Sequence, residues 1–389
     1  MEVFALDDVD IILLGIFGIL FIIQLFYYLG IYNKINSRHK AVLKNKVNFT
    51  EEQPPVSIII YGENDSESLN NNLPRILEQD YPEFEVIVVN DGVTVESDGV
   101  FARLERNYPN FYHTFVPEGS RYVSRKKLAL TMGIKASKYD WLVFTDFDCY
   151  PAENNWLKTL ARNFTEDTGI VLGYSSYDTK KGFSIRKINF SNLFNSMRYL
   201  GYALMKKPYM GIGRNMAYRK NMFFNNKGFS SFLNLQRGED DLFINEVATR
   251  TNTRVEVSKD ALVYVHPYSV KKHWKESRLN YFVTSQYYKG KQKYGLGFET
   301  FTRILFYGVL IAGIVKAILT ANWILLAILL SVFIFRFIIQ LYVINKTAVL
   351  LGEKRYYFLL VGFDILLPFN TLYYKIVRRF RRRKNFVSK

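Results

Sequence analysis

Apolar positions are crowded at the two ends of the chain, whereas in the middle short apolar runs alternate with segments whose apolar side chains recur at helical spacing. From Ile11 to Ile31 no residue is charged and Gln24 is the one strongly polar side chain, enough for a helix to cross a hydrocarbon core of about 30 Å. Glu2, Asp7, Asp8 and Asp10 replace the basic start of a cleavable leader, so residues 1–32 read as an uncleaved anchor. Lys34, Arg38, Lys40, Lys44 and Lys46 make residues 33–54 a basic linker, which places the following region on the cytoplasmic side. Phe301–Leu319 and Trp323–Ile344 predict a transmembrane hairpin over 301–344, in which Lys316 and Arg336 either face the bundle interior or snorkel to the interface. A third apolar run, 356–377, carries Asp364, Pro368, Asn370 and Lys375 and leads into the basic tail 378–389. If that run spans, its tail ends outside; a re-entrant or interfacial course keeps the cations inside against anionic headgroups, and is the expected one.

Between the anchors, Val56-Ser57-Ile58-Ile59-Ile60 has the apolar, β-branched character of a strand buried on both faces. Helical spacing over Ser66–Gln79, a strand over Glu85–Asn90, a helix over Lys126–Ala136, a strand over Trp141–Thr145 and a helix over Asn155–Phe164 continue the alternation. The fold class is α/β, an open, mostly parallel sheet over residues 55–269, flanked by transmembrane helices. Ligands of such sheets bind beyond the carboxyl ends of the strands. Asn64 and Asp65, then Asp91, then Asp146 and Asp148 all follow predicted strands and are expected at that one edge.

Composition narrows the chemistry. Hydrophobic residues make up 49% and charged residues 22%, which excludes disorder for most of the chain. The net charge of +17 favours phosphate groups, anionic lipids or nucleic acid, but many of the cations flank membrane segments and acids line the predicted cleft, so nucleic acid is not expected as a partner. Cys149 is the sole cysteine, which rules out an internal disulfide and a multi-cysteine zinc site. Asp146-Phe147-Asp148 places two carboxylates where both can reach a Mg²⁺ or Mn²⁺ ion whose shell is completed by water and substrate phosphates. Gly238-Glu239-Asp240-Asp241 opens a helical segment; three consecutive acids exceed what pairing with the helix dipole requires, and Asp240 is the expected general base for a substrate hydroxyl.

These residues carry a resemblance. Val56–Ile60, Val88-Val89-Asn90-Asp91-Gly92, Asp146-Phe147-Asp148, Gly211-Ile212-Gly213-Arg214-Asn215 and Gly238–Asp241 occur in the order and spacing of membrane-bound family 2 glycosyltransferases, and the match runs from about Pro55 to Lys289. The resemblance implies a GT-A fold and inverting transfer from a nucleotide-activated sugar, expected to be a UDP-sugar, to a lipid-linked or other membrane-associated glycan. The flanking segments resemble those of bacterial members, which implies an integral protein of a bacterial cytoplasmic membrane. Carried over by residue, Asp240 is the base and Glu239 its acidic neighbour. Asn64, Asp65, Asp91 and Asp146 contact the donor nucleotide, with Lys126 and Lys127 near its diphosphate, and Asp146 and Asp148 hold the metal. Gly213, Arg214 and Asn215 line the donor-sugar and acceptor region.

The departures are informative. Tyr61-Gly62-Glu63-Asn64 lacks the proline usual after the first strand, and the Gln-x-x-Arg-Trp signature of processive relatives is absent from Lys271–Tyr281. Single addition is expected unless Trp274 and Arg278 substitute from shifted positions in the acceptor region; the alternative is a processive polysaccharide synthase. Over 270–295, Trp274, Tyr281, Phe282 and Tyr288 recur among Lys271, Lys272, Lys275, Arg278 and Lys289, as in an amphipathic interfacial helix. His266 is a weaker candidate for a third metal ligand. A nucleotidyltransferase would not need Asp240, and a non-catalytic membrane scaffold would leave the acidic clusters without purpose.

Overall fold

The structure, a computed structural model, describes residues 6–62, 66–92, 95–117, 119, 124–178 and 182–381. Asn64, Asp65 and the tail beyond Arg381 lie outside the described residues. Helix α1 (Asp8–Leu25) begins at a capping box, in which Asp7 accepts from the Asp10 amide, and runs through a π-helical turn (Phe26–Tyr32) into α2 (Lys34–Leu43). The α/β part follows as β1 (Val56–Gly62), α3 (Ser66–Leu77), β2 (Phe84–Asn90), α4 (Val95–Asn107), β3 (Phe111–Phe115), α5 (Arg125–Ala136) and β4 (Trp141–Asp146). Next come β5 (Cys149–Pro151), α6 (Trp156–Ala161), β6 (Ile170–Leu172), β7 (Ser175–Tyr177), α7 (Phe183–Leu204), β8 (Met216–Arg219) and α8 (Lys220–Asn225). The domain closes with α9 (Asp241–Val247), β9 (Thr253–Val255), β10 (Val263–Val265) and α10 (Val270–Thr284). The apolar helices α11 (Gln292–Leu319), α12 (Trp323–Leu350) and α13 (Leu359–Arg381) complete the chain.

The main sheet has the order β3-β2-β1-β4-β8-β6-β9, and β5-β10-β7 form a second, small sheet. Strand β1 is buried along its whole length, and alternation divides it between two layers. Ile59 packs with Ile134 and Val89 under α5, while Ile58 and Ile60 pack with Leu69, Leu73 and Trp156 on the other face. Helix α5 lies so close that a β-carbon at Gly133 would stand 2.8 Å from Ile59 Cγ2, so the small residue sets the approach of this layer.

Strands β1 to β4 are mutually parallel, but β8 runs antiparallel to both β4 and β6. The reversal has a functional result. Because Met216 opposes Phe144, the segment entering β8, Gly213 to Asn215, is delivered to the carboxyl end of β4, beside Asp146. On the other side, Tyr61 pairs with Asp146 and Gly62 with Asn90, so Asp91 and Asp146 flank the end of β1.

Four helical segments, Asp8–Leu43, Gln292–Leu319, Trp323–Leu350 and Leu359–Val377, are long and apolar enough to cross a membrane by length and composition. Phe17, Leu20, Phe306, Leu310, Leu325 and Leu329 join α1, α11 and α12. Arg336 does not snorkel, since it is fully buried and pairs with Asp364 at 2.9 Å while also donating to Gln24 and Tyr307. Asp364 also receives Arg303 at 2.7 Å, and Arg303 in turn pairs with Glu299. A charge held in apolar surroundings is stable only with a partner, and here two arginines share one aspartate. Lys316 instead reaches Asp7 and Asp10 at the start of α1, each at 2.7 Å.

Candidate active site

The site lies where β4, the strand entry at Gly213, the start of α9 and one face of α10 converge on a cleft of about 110 Å³. Gly238 turns the chain into α9 with a left-handed φ of 116°, and a β-carbon there would stand 2.6 Å from Leu242 Cδ1. Glycine meets both demands, and the turn presents Glu239, Asp240 and Asp241 in sequence. Asp240 caps α9 through the Asp241 amide at 2.8 Å, and its second oxygen accepts from Gly213 N at 3.0 Å and from the Tyr281 hydroxyl at 2.8 Å. Three donors thus orient a carboxylate that remains partly open to the cleft. Burial, then the charge of Asp240, raises Tyr281, which keeps the phenol a donor.

Asp241 lines the same cleft but is taken up by structural contacts. It is fully buried and accepts from Tyr288 at 2.6 Å and from Thr284, so it ties the end of α10 to α9. Burial and then the Asp240 charge push its carboxyl well above the usual range.

Across the cleft, Lys126 donates to Asp146 at 2.7 Å, stands 3.8 Å from Glu239 and lies over the Tyr61 ring at 5.4 Å. Burial alone would raise Asp146, but the charge and hydrogen bond of Lys126, together with the Arg214 charge, hold that carboxylate below its ordinary range. Tyr61 in turn donates to Asp91 at 3.0 Å, and Arg125 pairs with Asp91 at 2.5 Å. Asp91, Tyr61, Lys126 and Asp146 are therefore linked along the carboxyl edge of the sheet.

Asp148 is buried beside Asp146, and burial followed by that neighbouring charge pushes it up to about 6. Two carboxylates confined together, offering only hard oxygen donors, fit a divalent cation that compensates their repulsion. Among the described residues no group of three or more His, Cys, Asp and Glu side chains stands ready to hold a metal, so the remaining ligands would have to come from diphosphate oxygens and water. Arg214 Nη1 and Glu239 Oε2, both lining the cleft, are buried polar atoms without a hydrogen-bond partner. Such atoms are costly to leave unmade and suit a site completed by substrate.

Several expected residues are placed elsewhere. Lys127, on the neighbouring face of α5, is buried and donates to the carbonyls of Phe232 at 2.6 Å and Leu235 at 2.7 Å, so it pins a loop and does not reach toward a diphosphate. Burial pushes its ammonium down to about 8. Asn215 bridges Tyr174 O and Ala261 O at 2.8 Å each and accepts from Trp156, which makes it a joint between the two sheets. Trp274 and Arg278 stand on the face of α10 turned away from the cleft, so they supply neither platform nor clamp there. The residues that α10 does offer are His273, Glu276, Ser277, Asn280, Tyr281 and Thr284. None was legible as a site residue, because the amphipathic pattern marks a buried stripe without saying which side carries chemistry. His266 pairs with Asp178 at 3.3 Å on the surface, whereas His273 approaches Asp148 at 3.7 Å. Burial, then the Arg214 charge, pushes His273 down to about 3, leaving it neutral.

Residues 56–224 match the glycosyl transferase family 2 model. Over 94 residues the chain is 29% identical to poly-beta-1,6-N-acetyl-D-glucosamine synthase of Staphylococcus epidermidis, a match that covers 24% of this chain and about a fifth (21%) of that protein's length. Among solved structures, the mannosyltransferase PcManGT from Pyrobaculum calidifontis, in complex with GDP-Man and Mn²⁺, superposes with a TM-score of 0.52 at 17% identity over 88% of this chain and 98% of its own, a likeness of fold. S. aureus TarS gives a TM-score of 0.43 at 19% identity over 64% and 42% of the two chains, too slight a likeness to argue from. On a mostly parallel GT-A sheet with acidic residues at its carboxyl edge, the part of the chain from β1 to α8, residues 56–224, is a glycosyl transferase family 2 domain by its match to that family's model.

Proposed function

We propose that this protein adds a single sugar, from a nucleoside-diphosphate donor, to a hydroxyl of a membrane-associated and lipid-linked glycan, with inversion at the anomeric carbon. The observation that carries this reading is Asp240, a carboxylate oriented by Gly213, Asp241 and Tyr281 and open to the same cleft as Lys126 and Asp146. A base so held can take the acceptor hydroxyl's proton as that oxygen attacks the face opposite the leaving group. Lys126 and Arg214 set positive charge where the diphosphate departs, and Asp91 with Tyr61 sits where the nucleobase would lie. Asp146 and Asp148 would hold Mg²⁺ or Mn²⁺, which when bound offsets the negative charge growing on the diphosphate. Single addition is supported by Trp274 and Arg278 facing away from the cleft, which leaves an extended glycan without an aromatic platform there. The four apolar helices support a membrane-held acceptor, since they would keep the cleft close to the bilayer and raise its effective concentration.

The test is release of nucleoside diphosphate by the detergent-solubilised protein with Mn²⁺, across a panel that includes UDP-sugars and GDP-mannose, in the presence of lipid-linked acceptors. Asp240→Asn should lower donor-specific release by about 10²–10⁴-fold while leaving nucleotide binding in place. Release that is unaffected by this substitution would overturn the assignment of the base.

A further inference from the structure

On the side of α10 turned away from the cleft lies a second groove of about 490 Å³, bounded by α7, α10 and α13. Lys187, Lys271, Lys275 and Arg278 line it together with Trp274 and Tyr374, and none of the described residues around it is an acid. Arg198 also reaches it but is already paired with Glu299. Arg278 is different. Among the described residues it has no carboxylate partner and no hydrogen bond, and its guanidinium is bracketed by aromatic faces, 4.9 Å from Phe282, 5.5 Å from Trp274 and 6.0 Å from Tyr374. Burial, then the Arg198 charge, pushes Arg278 down to about 10, as befits a cation short of counter-charge. An arginine fork held on rings and left without an acid matches the geometry by which guanidinium groups take phosphate oxygens.

The wall supplied by α13 says what carries that phosphate. Asn370, Thr371 and Tyr374 face the groove, while Phe369, Leu372 and Ile376 on the same helix are exposed apolar side chains. A cationic groove beside an unpartnered apolar stripe, on a helix long enough to enter a membrane, has the two-part character of an amphiphile: one part for a charged headgroup, one for its chains. A free anion would use the first and leave the second bare.

We infer that the groove between α7, α10 and α13 binds the phosphate of an anionic membrane lipid, with Arg278 as its central contact. Helix α10 is then shared, with lipid on one face and the catalytic cleft on the other, which would seat a bound lipid one helix diameter from Asp240. The inference requires the apolar helices to lie in a bilayer but does not require the transfer reaction.

The experiment is native mass spectrometry of the full-length protein in neutral detergent, titrated separately with phosphatidylglycerol, phosphatidylcholine and inorganic phosphate. Phosphatidylglycerol should bind in preference to phosphatidylcholine and should not be displaced by millimolar inorganic phosphate. Arg278→Gln should weaken it about tenfold or more, and so should Lys271→Gln combined with Lys275→Gln, two exposed positions whose loss leaves the melting temperature unchanged. Equal binding of the two lipids, or phosphatidylglycerol binding that neither variant weakens, would overturn the site. Displacement by inorganic phosphate would assign it to a soluble anion instead. Nucleoside-diphosphate release is read on the same preparations, so failure of lipid binding and failure of catalysis appear as separate results.

Discussion

Lys126 and Lys127 are neighbours on α5, carry the same charge and end in opposite circumstances. One turns into the cleft and neutralises Asp146; the other turns under the loop at Phe232 and Leu235 and gives its protons to two carbonyls. A step of one residue rotates a helical side chain by roughly 100°, which is enough to separate a side chain in the cleft from a structural pin. The two alanine variants should therefore fail differently. With Lys126 opposite the diphosphate, as proposed, Lys126→Ala is expected to raise the donor KM about tenfold or more. Lys127→Ala takes the ammonium from the Leu235 carbonyl, at about 1–3 kcal/mol, and leaves the Phe232 carbonyl with the Leu235 amide alone, so it should lower the melting temperature first. Steady-state kinetics and thermal unfolding of both proteins separate the roles.

Helix α10 borders both the catalytic cleft and the cationic groove. Its aromatic and basic residues carry the expectation that one face meets a membrane interface, and the structure shows one face lining the cleft and another lining the groove against α7 and α13. What periodicity could not supply is that the polar face packs against α9, so that Tyr281 becomes a donor to Asp240. Tyr281→Phe keeps the ring and removes one hydrogen bond to a charged group, a change of about 1.5–3 kcal/mol. The expected outcome is a fall in kcat of about tenfold or more with donor KM unchanged, measured by nucleoside-diphosphate release. A parallel rise in KM would place Tyr281 on the donor rather than on the base. Strand β8 makes a similar point. The alternation of strands and helices predicted a parallel sheet, and the parallel half from β1 to β4 is as expected, but the reversed strand that carries Gly213 and Arg214 to the site has no local signature.

Over the whole molecule, the buried charges of the apolar helices decide how the C-terminal helix is held. Asp364 on α13 accepts from Arg303, Arg336 and Tyr307, so three contacts from α11 and α12 converge on one carboxylate. Removing it strands Arg336 with neutral partners only, a loss of about 3–5 kcal/mol by comparison with broken buried pairs. Asp364→Ala should lower the melting temperature in detergent and speed tryptic cleavage at the exposed Lys354 and Arg355 that precede α13. A variant as stable and as protease-resistant as the parent would show that α13 is held by its packing on α10 and α7 instead.

The long apolar helices, the order of the acidic motifs and the strand-helix alternation from β1 to α6, apart from α4, β3 and β5, were readable in the sequence, because each is written in short-range periodicity or in residues adjacent in the chain. Asp146 and Asp148 were legible for that reason, as was Asp240 at a helix start. Tertiary structure decided everything that depends on which distant segments meet. It turned Asn215 into a joint with Trp156, 59 positions away, and paired Arg336 with Asp364, where the pattern of a span left snorkelling open. It also chose the face of α10 that carries Tyr281 and left Trp274 and Arg278 on the other. Packing energy is set by the surface a side chain finally covers, and that surface is contributed by residues the local pattern does not contain.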